Sequence, residues 1–120
     1  MEHNLLSKNI IQLEIAKIEE FNFKVLHNIL PCGKVLSKWF NNCTAQCLRC
    51  GEYETTEHML YKCKYLTDIW NLISLNIKVN IKWKNIVCGL PSSDINNNVR
   101  LINLLISFVS YSIFIFSNKR

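Results

Sequence analysis

Only three glycines and two prolines punctuate the 120 residues. An all-β fold needs a turn every ten residues or so, and this chain does not supply the residues for them. Alanine is scarce as well, at two positions only. Several signatures are missing as well: a glycine-rich phosphate loop, a Ser-His-Asp pattern and a paired-aspartate motif. Nothing in the chain is arranged for catalysis. The first twenty residues carry Glu2, Lys8 and Glu14 where a secretory leader needs an uninterrupted apolar stretch, and no small-residue cleavage site follows. The expected location is therefore intracellular, in the nucleus or cytoplasm, where thiols stay reduced.

What is present is apolar and basic. About half the residues are apolar and a fifth are charged, which suits one globular domain over residues 1–120. The net charge of +5 is uneven. Residues 1–20 sum to −2, residues 21–64 to +3 and residues 65–120 to +4. A basic excess over the last hundred residues fits a polyanionic partner, RNA or DNA.

The periodicity predicts an all-α fold, a small helical domain, and the spacing of Cys47, Cys50, His58 and Cys63 inserts a CCHC zinc knuckle over 43–64. Leu6, Ile10, Leu13 and Ile18 mark a first helix over 5–20. A second, "FNFKVLHNIL", should stop at Pro31 with Phe23, Leu26 and Leu30 on one face. A third covers "KVLSKWF", and "NNCTAQ" is a loop. Leu66, Ile69, Trp70 and Ile73 mark a fourth helix. "IKVNIKW" alternates, with Ile77, Val79, Ile81 and Trp83 on one side. Without a partner strand it should lie extended on the helices. Ser92 or Ser93 would cap a final helix over about 95–117. Leu101, Leu104, Leu105, Phe108, Ile113 and Phe116 of that helix should be buried, on residues 5–30 or on a missing partner. A membrane span is the weaker reading of an uncharged run that includes Asn103 and four serines within 101–118.

Three cysteines and a histidine fall within residues 47–63, spaced Cys47-x2-Cys50-x7-His58-x4-Cys63. Such a set predicts a closed tetrahedral site for one structural Zn²⁺; disulfides and buried, inert core cysteines are the weaker readings. Cys-x2-Cys suits a tight turn, and Gly51 follows where the backbone bends with positive φ. Thr55 or Thr56 can cap a short helix that carries His58. Cys63 lies five residues on, ~140° off the histidine's face of a regular helix, so the helix must end near Tyr61–Lys62. Three thiolates around the ion leave −1, which Arg49, Lys62 and Lys64 can offset. Cys43 is the rival ligand, and Cys32 and Cys88 read as core. His3 and His27 have no partners at ligand spacing. Glu52, Glu54 and Glu57 read as solvated charges.

Candidates for nucleic-acid contact are Lys34, Lys38, Arg49, Lys62, Lys64, Lys78, Lys82 and Lys84, with Trp39 or Tyr53 available to stack on a base. No small-molecule substrate is expected.

Three stretches carry a family resemblance: "FKVLHNILPCGKVLSKW", then "CLRCGEYETTEHMLYKC", then "IW" at 69–70. Together they resemble the zinc-binding C-terminal domain of reverse transcriptases from non-LTR (LINE-type) retrotransposons. The matching positions are Phe23, Lys24, Leu26, His27, Asn28, Leu30 and Pro31, then Leu36, Lys38 and Trp39. They continue through Cys47, Cys50, Glu54, Thr55, His58 and Cys63 to Trp70. The resemblance spans residues 21–73, with a weaker echo in "IVCGL" and the last helix. That helix departs from the family in having no basic residue over 101–118. The resemblance implies a role in template RNA or target DNA handling. The alternatives are a structural module that docks on a polymerase core and a non-functional transposon remnant. The chain itself carries no polymerase or endonuclease motif and is expected to be a detached fragment, a relic or a domesticated remnant.

Overall fold

The structure, a computed structural model, describes residues 2–91 and 97–117. Among the described residues, five α-helices follow one another: α1 Glu2–Leu26, α2 Gly33–Trp39, α3 Thr67–Ile77, α4 Trp83–Cys88 and α5 Asn97–Ser117. A π-helical turn, His58–Lys62, sits between α2 and α3. The described residues form no strand, and one isolated bridge joins Gln46 to Tyr53. The all-α expectation holds.

The two helices expected before Pro31 are one. Nothing in residues 18–24 breaks the helical register, so α1 runs through to Leu26. Asn28, not Pro31, ends it, in the left-handed conformation with φ 57°. Its amide donates to Val25 O at 3.2 Å and the Ile29 amide donates to Lys24 O at 2.9 Å. That pair of bonds satisfies the last carbonyls of α1, the usual device of a left-handed helix stop. Of the face expected there, Leu30 is buried while Phe23 and Leu26 are exposed.

The alternating stretch 77–83 is a correction. Ile77 ends α3, Lys78 turns left-handed at φ 58°, and Trp83 begins α4. Residues 79–82 link the two helices, and Lys82 is extended. The alternation in burial is nevertheless real: Ile81 is buried, Ile77, Val79 and Trp83 are half-buried, and the lysines face solvent. A helix end, a short linker and a helix start produce the same pattern as a strand when each buries every second residue.

One core unites α1, the zinc-knuckle segment, α3, α4 and α5, built on Phe21, Val25, Leu30, Leu60, Trp70 and Ile106. α1 and α5 pack antiparallel. Phe21 stacks edge-on against Tyr111 at 5.6 Å and tilts against Phe114 at 5.3 Å, and Asn22 Nδ2 donates to Ser107 Oγ at 3.3 Å. N-terminal to this contact, Ile10, Ile11 and Leu13 face solvent, so α1 overhangs the core. The radius of gyration, 15.9 Å, reflects that projection. A compact chain of this length reaches ~13.6 Å.

α5 is docked along Ile106, Ser110 and Ile113, which are buried. Of the six side chains expected to be covered, Ile113 is. Leu101, Leu104, Leu105, Phe108 and Phe116 are not. The side chain of His3, the side chain of Leu6, and the caps Ser92 and Ser93 lie outside the described residues.

Candidate metal centre

The knuckle begins as a narrow two-stranded loop. The Cys47 amide donates to Glu52 O at 2.6 Å, the Gly51 amide to Cys47 O at 2.8 Å, and the Glu54 amide to Ala45 O at 2.9 Å. Gly51 has φ 83°, as the turn requires. No neighbour stands within 4 Å of where its Cβ would lie, so the constraint is conformational and not steric. This turn aims Cys47 and Cys50 at one point.

His58 and Cys63 come from the π-helical turn. Thr55 Oγ1 accepts the His58 amide at 3.1 Å and caps it, as the sequence suggests. The Cys63 amide donates to His58 O at 3.1 Å. The two ligand residues are thus themselves the i, i+5 hydrogen-bonded pair. A widened turn brings a residue five positions on back toward the first, which a regular α-helix cannot do. Cys63 then leaves in an extended conformation, φ −56°, ψ 131°.

The last carbonyls of that turn need donors. Arg49 Nη2 reaches Met59 O at 2.7 Å and the Trp70 indole reaches Leu60 O at 2.9 Å. Arg49 is therefore half-buried and engaged at the centre rather than free at the surface.

The four ligand atoms lie within 4.8 Å of one another. Cys47 Sγ and Cys63 Sγ are 3.9 Å apart, and Cys50 Sγ is 3.1 Å from His58 Nε2. Ligands at ~2.3 Å (sulfur) and ~2.0–2.1 Å (nitrogen) from one tetrahedral ion stand ~3.5–3.8 Å apart. The donor set and its spacing fit Zn²⁺. A disulfide needs sulfurs ~2.05 Å apart, and all six cysteines are free. Glu52 Oε2 stands 3.8 Å from His58 Nδ1, the ring nitrogen turned away from the cluster. A carboxylate there favours Nε2 as the ligand atom.

Electrostatics prepare the site for a cation. Burial would push the Cys47 thiol up. The amides of Arg49 and Cys50, the Arg49 side chain and His58 outweigh it and bring the thiol down to about 6. Burial also pushes Cys63, up to about 11; Cys47 and Cys50 add to this, against the pull of the Tyr65 amide and Arg49. These hydrogen bonds favour the thiolate at Cys47, and Cys63 must release its proton to solvent to bind a metal.

Cys43 stays outside the cluster, with its Sγ 3.9 Å from Asn42 Oδ1. Cys32 is buried in the core, but Cys88 is exposed, contrary to expectation, on the outer side of the short α4. His27 is exposed and lies against Phe23, with ring centroids 4.2 Å apart.

Glu54 is not the solvated charge expected. It is 1% exposed, and its Oε1 accepts the Gly33 amide at 2.7 Å, one of the amides α2 leaves unpaired at its start. A Cβ on Gly33 would stand 3.0 Å from Ala45 O, so glycine allows the approach. Glu52 is exposed and Glu57 half-buried.

A family model described as zinc-binding in reverse transcriptase matches residues 2–70. The chain belongs to that family. The match takes in α1, α2, all four ligands and Trp70, and stops before α4 and α5. No curated protein and no solved structure matches the chain significantly. As a zinc-binding domain of reverse transcriptase, it holds one structural zinc between a tight turn and a π-helical turn.

Among the nucleic-acid candidates, Lys38, Trp39, Tyr53, Lys62, Lys64, Lys78, Lys82 and Lys84 are exposed and Lys34 is half-buried. Lys34 and Lys38 come together in one groove. Lys62 lies 3.8 Å from Glu57, and the Lys64 ammonium stands 5.3 Å from the centre of the Tyr65 ring.

Proposed function

We propose that this is a non-catalytic, zinc-stabilised domain that binds nucleic acid and handles template RNA or target DNA. The observation that carries the reading is the family match, joined to exposed lysines fixed on either side of a buried ligand. Lys62 and Lys64 bracket Cys63, so the metal holds their backbone in place. The four protein ligands close the ion's coordination shell, and a closed shell leaves no position for substrate. Charge reversal at Lys62 and Lys64 is expected to weaken binding to every sequence. It should also flatten the salt slope by about one unit per lost phosphate contact. Zinc content should stay constant. Titration of single- and double-stranded RNA and DNA at three salt concentrations tests this. No binding at low salt by the folded, zinc-loaded domain ends the reading.

The outer face of α5 favours a second reading, docking on a polymerase core. Leu101, Leu104, Leu105, Phe108, Ile115 and Phe116 form one apolar stripe and are 40–73% exposed. The stripe offers on the order of 600 Å², at the upper end of what a soluble monomer shows, and near the ~800 Å² per partner of a stable interface. It borders an apolar groove of about 540 Å³ that includes Tyr65, Ile69 and Phe108. α5 also meets the length and composition of a membrane span. Yet Asn103 on it accepts the Leu90 amide at 2.9 Å, and Ser110 is buried against the protein. The isolated chain is expected to self-associate, and Leu104→Lys with Phe108→Lys to render it monomeric without lowering its melting temperature. A wild-type chain that sediments as a monomer contradicts this, and one that floats with neutral lipid vesicles assigns the stripe to a membrane.

A further inference from the structure

The candidate lysines do not all present themselves to solvent in the same way. Lys34 and Lys38 stand one turn apart on α2 and line a groove of about 610 Å³. Side chains four apart on a helix lie side by side, ~5–6 Å between their Cβ atoms. Thr55 and Glu57 from the start of the π-helical turn, and Trp83 at the start of α4, complete the walls around Val35. Two lysines, two threonines, a glutamate and an indole thus share a concavity sized like small-ligand sites, ~300–1,000 Å³.

The segment that carries Trp83 is tied down by hydrogen bonds. Trp83 is half-buried, and its ring lies 6.5 Å from that of Tyr61, whose hydroxyl donates to Ile81 O at 2.8 Å. The Lys82 amide donates to Asn85 Oδ1 at 2.9 Å and fixes the start of α4. Lys82 and Lys84 flank Trp83 in the chain and are exposed. Glu57, the one carboxylate of the groove, is drawn toward Lys62 at 3.8 Å, which offsets its charge. The positive groups outnumber it.

We propose that this groove is a single-strand nucleic-acid site, with Lys34 and Lys38 on backbone phosphates and an unstacked base against Trp83. The inference rests on the nucleic-acid reading above and gives it a location. A single strand offers what it accepts: phosphates that can be reached one by one and a free base face for an aromatic. Lys34 and Lys38 cannot stack, and Trp83 cannot neutralise charge. The two kinds of contact should therefore fail separately.

The experiment uses the zinc-loaded full chain with short oligo(dT) and oligo(U). In a Trp39→Phe background the indoles are Trp70, which is buried, and Trp83, so oligonucleotide binding should quench Trp83 fluorescence. Lys34→Ala with Lys38→Ala should weaken binding and reduce the salt slope by about 1.4, at ~0.7 per phosphate on a single strand. Lys17→Ala, on α1 and paired with Glu14, should change neither. Trp83→Phe should abolish the quench while leaving the salt slope intact. Comparison of the two oligonucleotides shows whether the ribose 2′-hydroxyl contributes. If wild type binds and the lysine double variant binds equally with the same slope, the groove is not the site, although the domain still binds nucleic acid. An unquenched Trp83 in a binding-competent chain removes the base contact. Absence of binding to either oligonucleotide and to duplexes overturns both readings.

Discussion

Removing the metal, by chelation or by Cys50→Ser or Cys63→Ser, is expected to unfold residues 40–75 and release α5 from its dock. Structural zinc sites contribute ~10–16 kcal/mol of apparent binding free energy, against a total stability of ~5–15 kcal/mol for a typical domain. The site is not an appendage here. Cys47 and Cys63 are core residues beside Met59, Leu60, Leu66 and Trp70. Without the ion, Cys47, Cys50, His58 and Cys63 lose the bonds that tie the tight turn to the π-helical turn. The π-helical turn loses its purpose at the same moment, because regular α-helical hydrogen bonds would otherwise be preferred. Far-ultraviolet circular dichroism should show lost helix on chelation, restored by one equivalent of zinc. Cys43→Ser and Cys88→Ser should melt like wild type, since neither sulfur belongs to the cluster. Elemental analysis that finds no metal in fresh, reduced protein would sink the assignment.

The ligands were legible because Cys-x2-Cys and a following histidine and cysteine are local, and the family's flanking residues agree with them. The manner in which His58 and Cys63 meet was half legible. Five-residue spacing rules out a regular helix. It does not say whether the chain unwinds or widens, and a shift from i+4 to i+5 bonding leaves no periodic trace. Glu54 could not be read, since its partner is the Gly33 amide, 21 residues away. Charge at a surface-like position says nothing about an unpaired amide brought to it by the fold. The same limit governs Arg49. A basic residue inside a knuckle looks like a phosphate contact until the unpaired Met59 carbonyl is placed beside it. For α5 the error ran the other way. A uniformly apolar helix reads as buried on every side, whereas the described residues cover one face and leave Leu104 and Phe108 outside.

Two tryptophans of the family resemblance should separate sharply under truncation. Trp70 is 3% exposed and its indole donates to Leu60 O at 2.9 Å, within the turn that carries His58 and Cys63. Trp70→Ala loses the packing of a large aromatic, ~3–5 kcal/mol. It also orphans a buried carbonyl, ~1–3 kcal/mol more. That sum is comparable with the whole stability of a domain this size, so the variant should be largely unfolded unless zinc is in excess. Trp70→Phe keeps most of the ring volume and loses the hydrogen bond, so its cost should fall well below that of Trp70→Ala. Trp39 closes α2 at 72% exposure. Trp39→Ala should change stability by no more than ~0.5 kcal/mol. Any nucleic-acid affinity it removes is then a lost contact and not a lost fold. Urea unfolding of the zinc-loaded proteins, with zinc affinity measured by competition, reads both. Because Trp70 holds the ligand turn through Leu60, zinc affinity should fall in step with stability across Trp70→Phe and Trp70→Ala. Equal midpoints for Trp39→Ala and Trp70→Ala would mean that the indole of Trp70 does not hold the turn, and the zinc site would have to be supported by the ligands alone.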